Sequence, residues 1–149
     1  MKKFITLVFL SLSISSYVNA ADGLISVESK HSVKETADKF ASIVESKGLT
    51  LFARIDHQKN ATGADLTLRE TEVLIFGNPK VGTPLMQCAQ TMAIDLPQKV
   101  LVWKDADNKV WLSYNDPEYL KQRHSIEGCD ETVKKVTNVL SGLTGAAAK

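Results

Sequence analysis

His57, His124 and His31 are the only imidazoles in the chain, and Cys88 and Cys129 its only thiols. Histidine changes charge near neutral pH, so it is the first side chain to weigh for acid–base work or metal ligation. Asp56-His57 closes a strand-like run and Arg123-His124 lies near the end of a helical one, so His57 and His124 are the pair that could converge on a pocket. A metal would want three or four ligands, with Asp56 or a cysteine completing the set. The chain has no His-x-x-x-His or Cys-x-x-Cys spacing to support one, and no metal or other cofactor is expected. Asp56 could orient His57 as a general base. Neighbours on a strand point to opposite faces, however, so that pair needs a bend to cooperate. Hydrolysis lacks its signatures too: there is no Gly-x-Ser-x-Gly, and neither cysteine sits in a nucleophile motif. No catalytic residue is assigned on this reading.

The second cluster is Phe76-Gly77-Asn78-Pro79-Lys80-Val81-Gly82-Thr83-Pro84-Leu85-Met86. Gly77-x-x-x-x-Gly82-Thr83 echoes a phosphate loop, but the lysine required after the last glycine is missing and Pro79 removes an amide donor. A weaker anion site survives. Thr83 as N-cap and Pro84 at the first helical position would start a helix whose amides, with Lys80 alongside, could hold a small anion. The candidate ligand-binding set is therefore Asp56, His57, Lys80, Gly82, Thr83 and His124.

These residues need elements to position them. Leu24 to Ser29 reads as a first strand. Ser32-Val33-Lys34-Glu35 is a capping box, and Val33, Ala37, Phe40, Ala41 and Val44 follow at helical spacing until Gly48 ends the helix. Leu49 to Asp56 alternates, with Leu49, Leu51, Ala53 and Ile55 on one face and Thr50, Phe52, Arg54 and Asp56 on the other. Gln58 to Asp65 is polar, a loop or a loose helical turn. Glu72 to Phe76 is nearly continuously apolar, as a central strand would be. After the Thr83 helix, Gln98 to Lys104 and Lys109 to Tyr114 form a hairpin across Asp105-Ala106-Asp107-Asn108. Asp116-Pro117 opens another helix, Asp130 caps a last one carrying Val133, Val136, Leu140 and Leu143, and residues 145–149 read as a frayed tail. The order is β-α-β-β-α-β-β-α, with a further helical stretch at the end. A hairpin and few helices favour an α+β domain, with a mostly antiparallel sheet and the first and last helices on one face. The other face, from which Phe52 and Trp103 are expected to project, would then be covered by a second subunit.

The bulk properties narrow the partners. Of 149 residues, the first twenty read as a signal peptide: Lys2 and Lys3, an apolar run from Phe4 to Leu12, and Val18-Asn19-Ala20 at the cleavage site. Residues 21–149 form a single domain, which is expected to be periplasmic or secreted. Removing residues 1–20 takes away two lysines and no acids, so the formal charge goes from +1 to −1. Such a mixed surface gives no basic stripe for nucleic acid, and nothing after residue 20 is long and apolar enough to span a membrane. Two cysteines in an oxidising compartment permit one disulfide, and two separately buried thiols are the alternative.

From Leu24 onward the chain resembles the DUF302 family of bacterial and archaeal domains, with its TT1751-like fold. The resemblance rests on Ile55-Asp56-His57 with Ala61, Phe76-Gly77-Asn78-Pro79-Lys80, Gly82-Thr83-Pro84-Leu85-Met86 and Asp95-Leu96-Pro97. It continues through Leu101-Val102-Trp103, Tyr114-Asn115-Asp116-Pro117 and Arg123-His124. It implies a TBP-like, curved antiparallel sheet with helices packed on it, and a homodimer. It implies no activity. Cys88 and Cys129 depart from the family pattern, which favours a disulfide particular to this exported relative. Two functions follow as expectations: a non-enzymatic dimer binding a small molecule, an anion or a protein partner through a pocket near Gly77–Met86 and His57, or a metal-dependent or acid–base enzyme using His57 and His124.

Overall fold

The structure, a computed structural model, describes residues 23–149, so the signal-peptide reading of residues 1–20 lies outside the described residues. Five strands form one open antiparallel sheet: β1 (Leu24–Ser29), β2 (Thr50–Asp56), β3 (Thr71–Gly77), β4 (Gln98–Lys104) and β5 (Val110–Asn115), in the order β1-β5-β4-β3-β2. Five helices accompany them: α1 (Val33–Ser46), α2 (His57–Thr62), α3 (Pro79–Cys88), α4 (Pro117–Arg123) and α5 (Asp130–Ala147). A 3₁₀ turn (Gln90–Ile94) follows α3, and the Leu96-Pro97 peptide is cis. The fold is α+β, as expected.

Helix α1 begins where the capping box places it: the Ser32 hydroxyl accepts from the Glu35 amide, and the Glu35 carboxylate accepts from the Ser32 amide at 3.0 Å. It lies across the sheet with Phe40 edge-on to Phe76, ring centres 5.1 Å apart. Helix α5 packs on α1, and α3 and α4 pack against α5, so the four longer helices share one face of the sheet. Leu74, Phe76, Val100, Val102, Leu112 and Tyr114 point from the sheet into that core.

The structure corrects three expectations about the elements and decides between the alternatives of a fourth. Strand β2 does not keep one alternation: a bulge between Leu51 and Ala53 shifts the register, so Leu51 pairs with Phe76 but Ala53 with Ile75. An extra residue in one strand reverses the facing of everything after it. Leu51 therefore faces the core with Arg54, while Ala53 and Ile55 face away. The polar stretch after Asp56 forms α2, capped by the Asp56 carboxylate, which accepts from the Lys59 amide at 2.8 Å. Helix α3 starts at Asn78-Pro79, five residues before the predicted Thr83-Pro84, and carries Pro84 inside it. The chain end is no frayed tail either. Helix α5 runs to Ala147, Ala147 and Ala148 are buried, and the Lys30 amide donates to the Ala148 carbonyl at 3.0 Å.

Candidate functional site

The earlier start of α3 decides the fate of the anion site. Asn78 uses its side-chain oxygen to accept from the Lys80 amide at 2.9 Å, and its carbonyl accepts from the amides of Val81 and Gly82. Pro79 has no amide hydrogen to offer. The first turn thus has its donors satisfied or missing, and Gly82 and Thr83 lie inside the helix. A helix N-terminus binds anions only through free amides. The expected site at Lys80, Gly82 and Thr83 is not built.

The two histidines do not converge. His57 is exposed at the start of α2, beyond the end of β2 where Asp56 pairs with Glu72 of β3. His124 caps α4, beyond the end of the sheet where Gln98 begins β4 and pairs with Phe76 near the end of β3. A seven-residue strand spans ~20 Å, so the imidazoles stand at opposite ends of the sheet. Asp56 spends its carboxylate on the α2 cap. Among the described residues no group of three or more His, Cys, Asp or Glu side chains could hold a metal ion. The geometry required by the acid–base alternative is not present.

His124 has a structural task. Its Nε2 lies 2.6 Å from Asp95 Oδ2 and its Nδ1 3.0 Å from Thr91 Oγ1. With Nε2–H donating to the carboxylate, Nδ1 accepts from the Thr91 hydroxyl. Arg123 donates to the second oxygen of Asp95 at 3.4 Å. A hydroxyl–imidazole–carboxylate chain is also the pattern of an activated nucleophile. Here the His124 side chain is 6% exposed with both nitrogens engaged, and none of the three residues lines the cavity described next. The chain of bonds fastens the 3₁₀ turn and the approach to β4 onto the end of α4.

A concavity among the described residues lies at the Gly77 end of the sheet, between the end of α1, α3 and α5. Its volume is about 830 Å³. That is within the ~300–1,000 Å³ of small-molecule sites. Its walls are apolar: Ile43, Leu49, Phe76, Val81, Leu85, Leu96, Val139 and Leu140, with Phe52 and Pro97 at the Gly77 end. A Cβ on Gly77 would stand 3.6 Å from the Phe52 ring and 3.6 Å from Pro97, ordinary van der Waals contact, so these three residues pack closely at that corner. Phe52, the bulge residue, is 52% exposed. The disulfide joins Cys88 at the end of α3 to Cys129 at the start of α5, Cα atoms 6.5 Å apart, and so ties two walls of the cavity.

Of the predicted set, Gly82 and Thr83 line this cavity, whereas Asp56, His57, Lys80 and His124 do not. Most of the Gly77–Met86 segment lines the cavity, through its packing and not through its amides. Sequence reasoning missed Lys47, Phe52, Gln98 and Lys135, which also line it. One signal was there to be read: Gln98 falls in register with Val100 and Val102 on the apolar face of its strand, where a polar side chain is out of place.

The sequence profile described as "Domain of unknown function DUF302" matches residues 25–143. The crystal structure of an uncharacterised conserved DUF302 protein from Bacillus stearothermophilus superposes with a TM-score of 0.77 at 13% identity, covering 85% of this chain and 99% of that one. Among curated proteins, the chain is 45% identical over 127 residues to "Fluoride-specific ion channel FluC 1" of Brucella suis, covering 85% of this chain and 50% of that protein. It is equally similar to "Fluoride-specific ion channel FluC 2" of Brucella melitensis, 47% of which it covers. The chain thus spans about half the length of these relatives, and none of its described helices is long and apolar enough to cross a membrane. On the profile match and the shared fold, the chain belongs to the DUF302 family.

Proposed function

We propose that this protein is an exported, homodimeric, non-enzymatic domain that binds a small, largely apolar molecule in the cavity between α1, α3 and α5. The observation that carries the reading is the cavity itself. A space of about 830 Å³ walled by leucine, valine, phenylalanine and proline side chains exposes apolar surface that a bound molecule would take out of water. The opposite sheet face supplies the argument for the dimer, taken up below. Native mass spectrometry of protein purified without detergent tests the reading. A co-purified small molecule is expected on the wild type and not on Gly142→Leu. A Cβ at Gly142 meets nothing within 4 Å and the residue lines the cavity, so a side chain there starts from open space at the cavity wall. Bare mass in both proteins, with no apolar compound raising the melting temperature, would sink the reading.

The fluoride-channel relatives favour a second reading, in which this domain works beside a membrane ion channel. It would contribute to fluoride resistance without itself crossing the membrane. Removing the gene should then raise sensitivity to fluoride, and unchanged growth across fluoride concentrations would count against it.

A further inference from the structure

We infer that the occupant of the cavity is a single-chain amphiphile with an anionic head, an alkyl carboxylate. The inference rests on the cavity being a ligand site and names what the site selects. Three observations carry it. The walls formed by Phe76, Leu85, Leu96 and Leu140 suit an aliphatic chain and offer it no hydrogen bonds. Among the described residues, the only charged side chains lining the cavity are Lys47 and Lys135, with no Asp or Glu in that lining. Neither lysine belongs to an ion pair among the described residues, and both are exposed, so their amines are available at the rim. Glu131, one helical turn before Lys135, borders a neighbouring hollow and makes no ion pair with it.

Gln98 adds the third. Its amide nitrogen is buried and has no hydrogen-bond partner, and the residue lines the cavity. Buried donors are nearly always satisfied, so an orphan of this kind asks for an acceptor from outside the protein. A neutral hydrocarbon would leave both the lysines and the amide unanswered, and a cationic amphiphile would meet two like charges. A carboxylate is acceptor-only and anionic, and its alkyl chain matches the walls. The lysines at the rim favour an anion, the buried amide favours an acceptor, and the walls favour an alkyl chain.

Three probes with a common twelve-carbon chain separate the terms: dodecanoate, dodecanol and dodecyltrimethylammonium, each titrated calorimetrically below its micellar concentration into solvent-stripped protein. Dodecanoate is expected to bind at least tenfold more tightly than either of the others. The double variant Lys47→Glu/Lys135→Glu, both sites being exposed, should bring dodecanoate down to the affinity of dodecanol and leave dodecanol unchanged. Gln98→Leu should weaken dodecanoate several-fold and leave dodecanol unchanged. Equal affinities for the three probes, or a dodecanoate affinity untouched by both variants, would overturn the anionic head group and leave the cavity as a ligand site. Binding of none of the three would overturn this inference, and native mass spectrometry would then decide separately on the cavity.

Discussion

At the scale of single residues, much of the chemistry suggested by residue type is spent on holding the fold. Asp56 caps α2, His124 ties Thr91 to Asp95, and His31 accepts from Lys39 at 2.8 Å. Asp105 is the sharpest case. Its carboxylate accepts from the Trp111 indole at 2.8 Å and from the amides of Lys109 and Asp107 at 2.9 Å each, closing the β4–β5 turn. These donors favour the charged form, the Trp111 indole most of all, and hold the Asp105 carboxyl below its ordinary 3.8. A group whose folded value is depressed adds stability that is complete above the ordinary value and vanishes as pH falls through the lower folded one. Urea denaturation at pH 5 and again near pH 3 should therefore show wild type losing stability that Asp105→Asn lacks at both. Asp38, held down by Lys34 and then by Arg54, adds to the slope in the same sense. A wild-type loss no larger than that of Asp105→Asn would remove Asp105 from the account.

At the scale of elements, the disulfide is the tie with the largest calculable effect. Cys88 and Cys129 are 41 residues apart in sequence. Closing a loop of that length restricts the unfolded chain by ~4 kcal/mol at the entropic estimate, with about 2–4 kcal/mol typical of measured bridges. The Cys88→Ser/Cys129→Ser protein is expected to unfold at lower urea, its unfolding free energy reduced by about that amount, with the seam between α3 and α5 loosened. An unchanged midpoint on reduction would show that the bridge constrains nothing. The elements also show what the sequence could disclose. Helix α1, its capping box, Gly48 as its stop and the β4–β5 hairpin rest on contacts within a few residues, and all were legible. The start of α3 was not, because Asn78-Pro79 and Thr83-Pro84 are two cap-and-proline signals five residues apart, and the chain uses the first. The bulge at Phe52 is a property of pairing with β3, and the docking of Ala148 one of contact with Lys30, so neither has a local signature. The cavity is harder still to foresee. It is a space between α1, α3, α5 and the end of the sheet, and only Gln98, polar among valines, marked its place beforehand.

At the scale of the whole molecule, the sheet has one face covered by helices and a second face of unusual composition. The outward residues of β3 include Val73 and Ile75, those of β4 Leu101 and Trp103, and those of β2 Ala53 and Ile55. An antiparallel sheet with one side in water normally turns polar residues outward along each strand. Here the outward positions of β3 and β4 are mostly apolar, with Thr71 and Lys99 near the strand ends, which suits a face that is covered in solution. The tryptophan rings fit the same picture. Trp103 donates to the Ser113 hydroxyl at 2.9 Å and Trp111 to Asp105, so both indole N–H groups are satisfied within the chain. What remains outward is largely apolar area, with no lysine-lined groove beside it to suit a nucleic acid. A second copy of the chain laid face to face is the simplest cover, since sheets stack ~10 Å apart with their side chains interleaved. A stable pairing would need ~800 Å² from each partner, and five strands of six or seven residues offer a face of that order. Light scattering at tens of micromolar is expected to give twice the mass of a single chain. Leu101→Arg, at the centre of the outward face and away from the cavity, should give the single mass with the ligand site intact. A wild type that scatters as a monomer, or a Leu101→Arg protein that remains dimeric, would place the subunit contact elsewhere or nowhere.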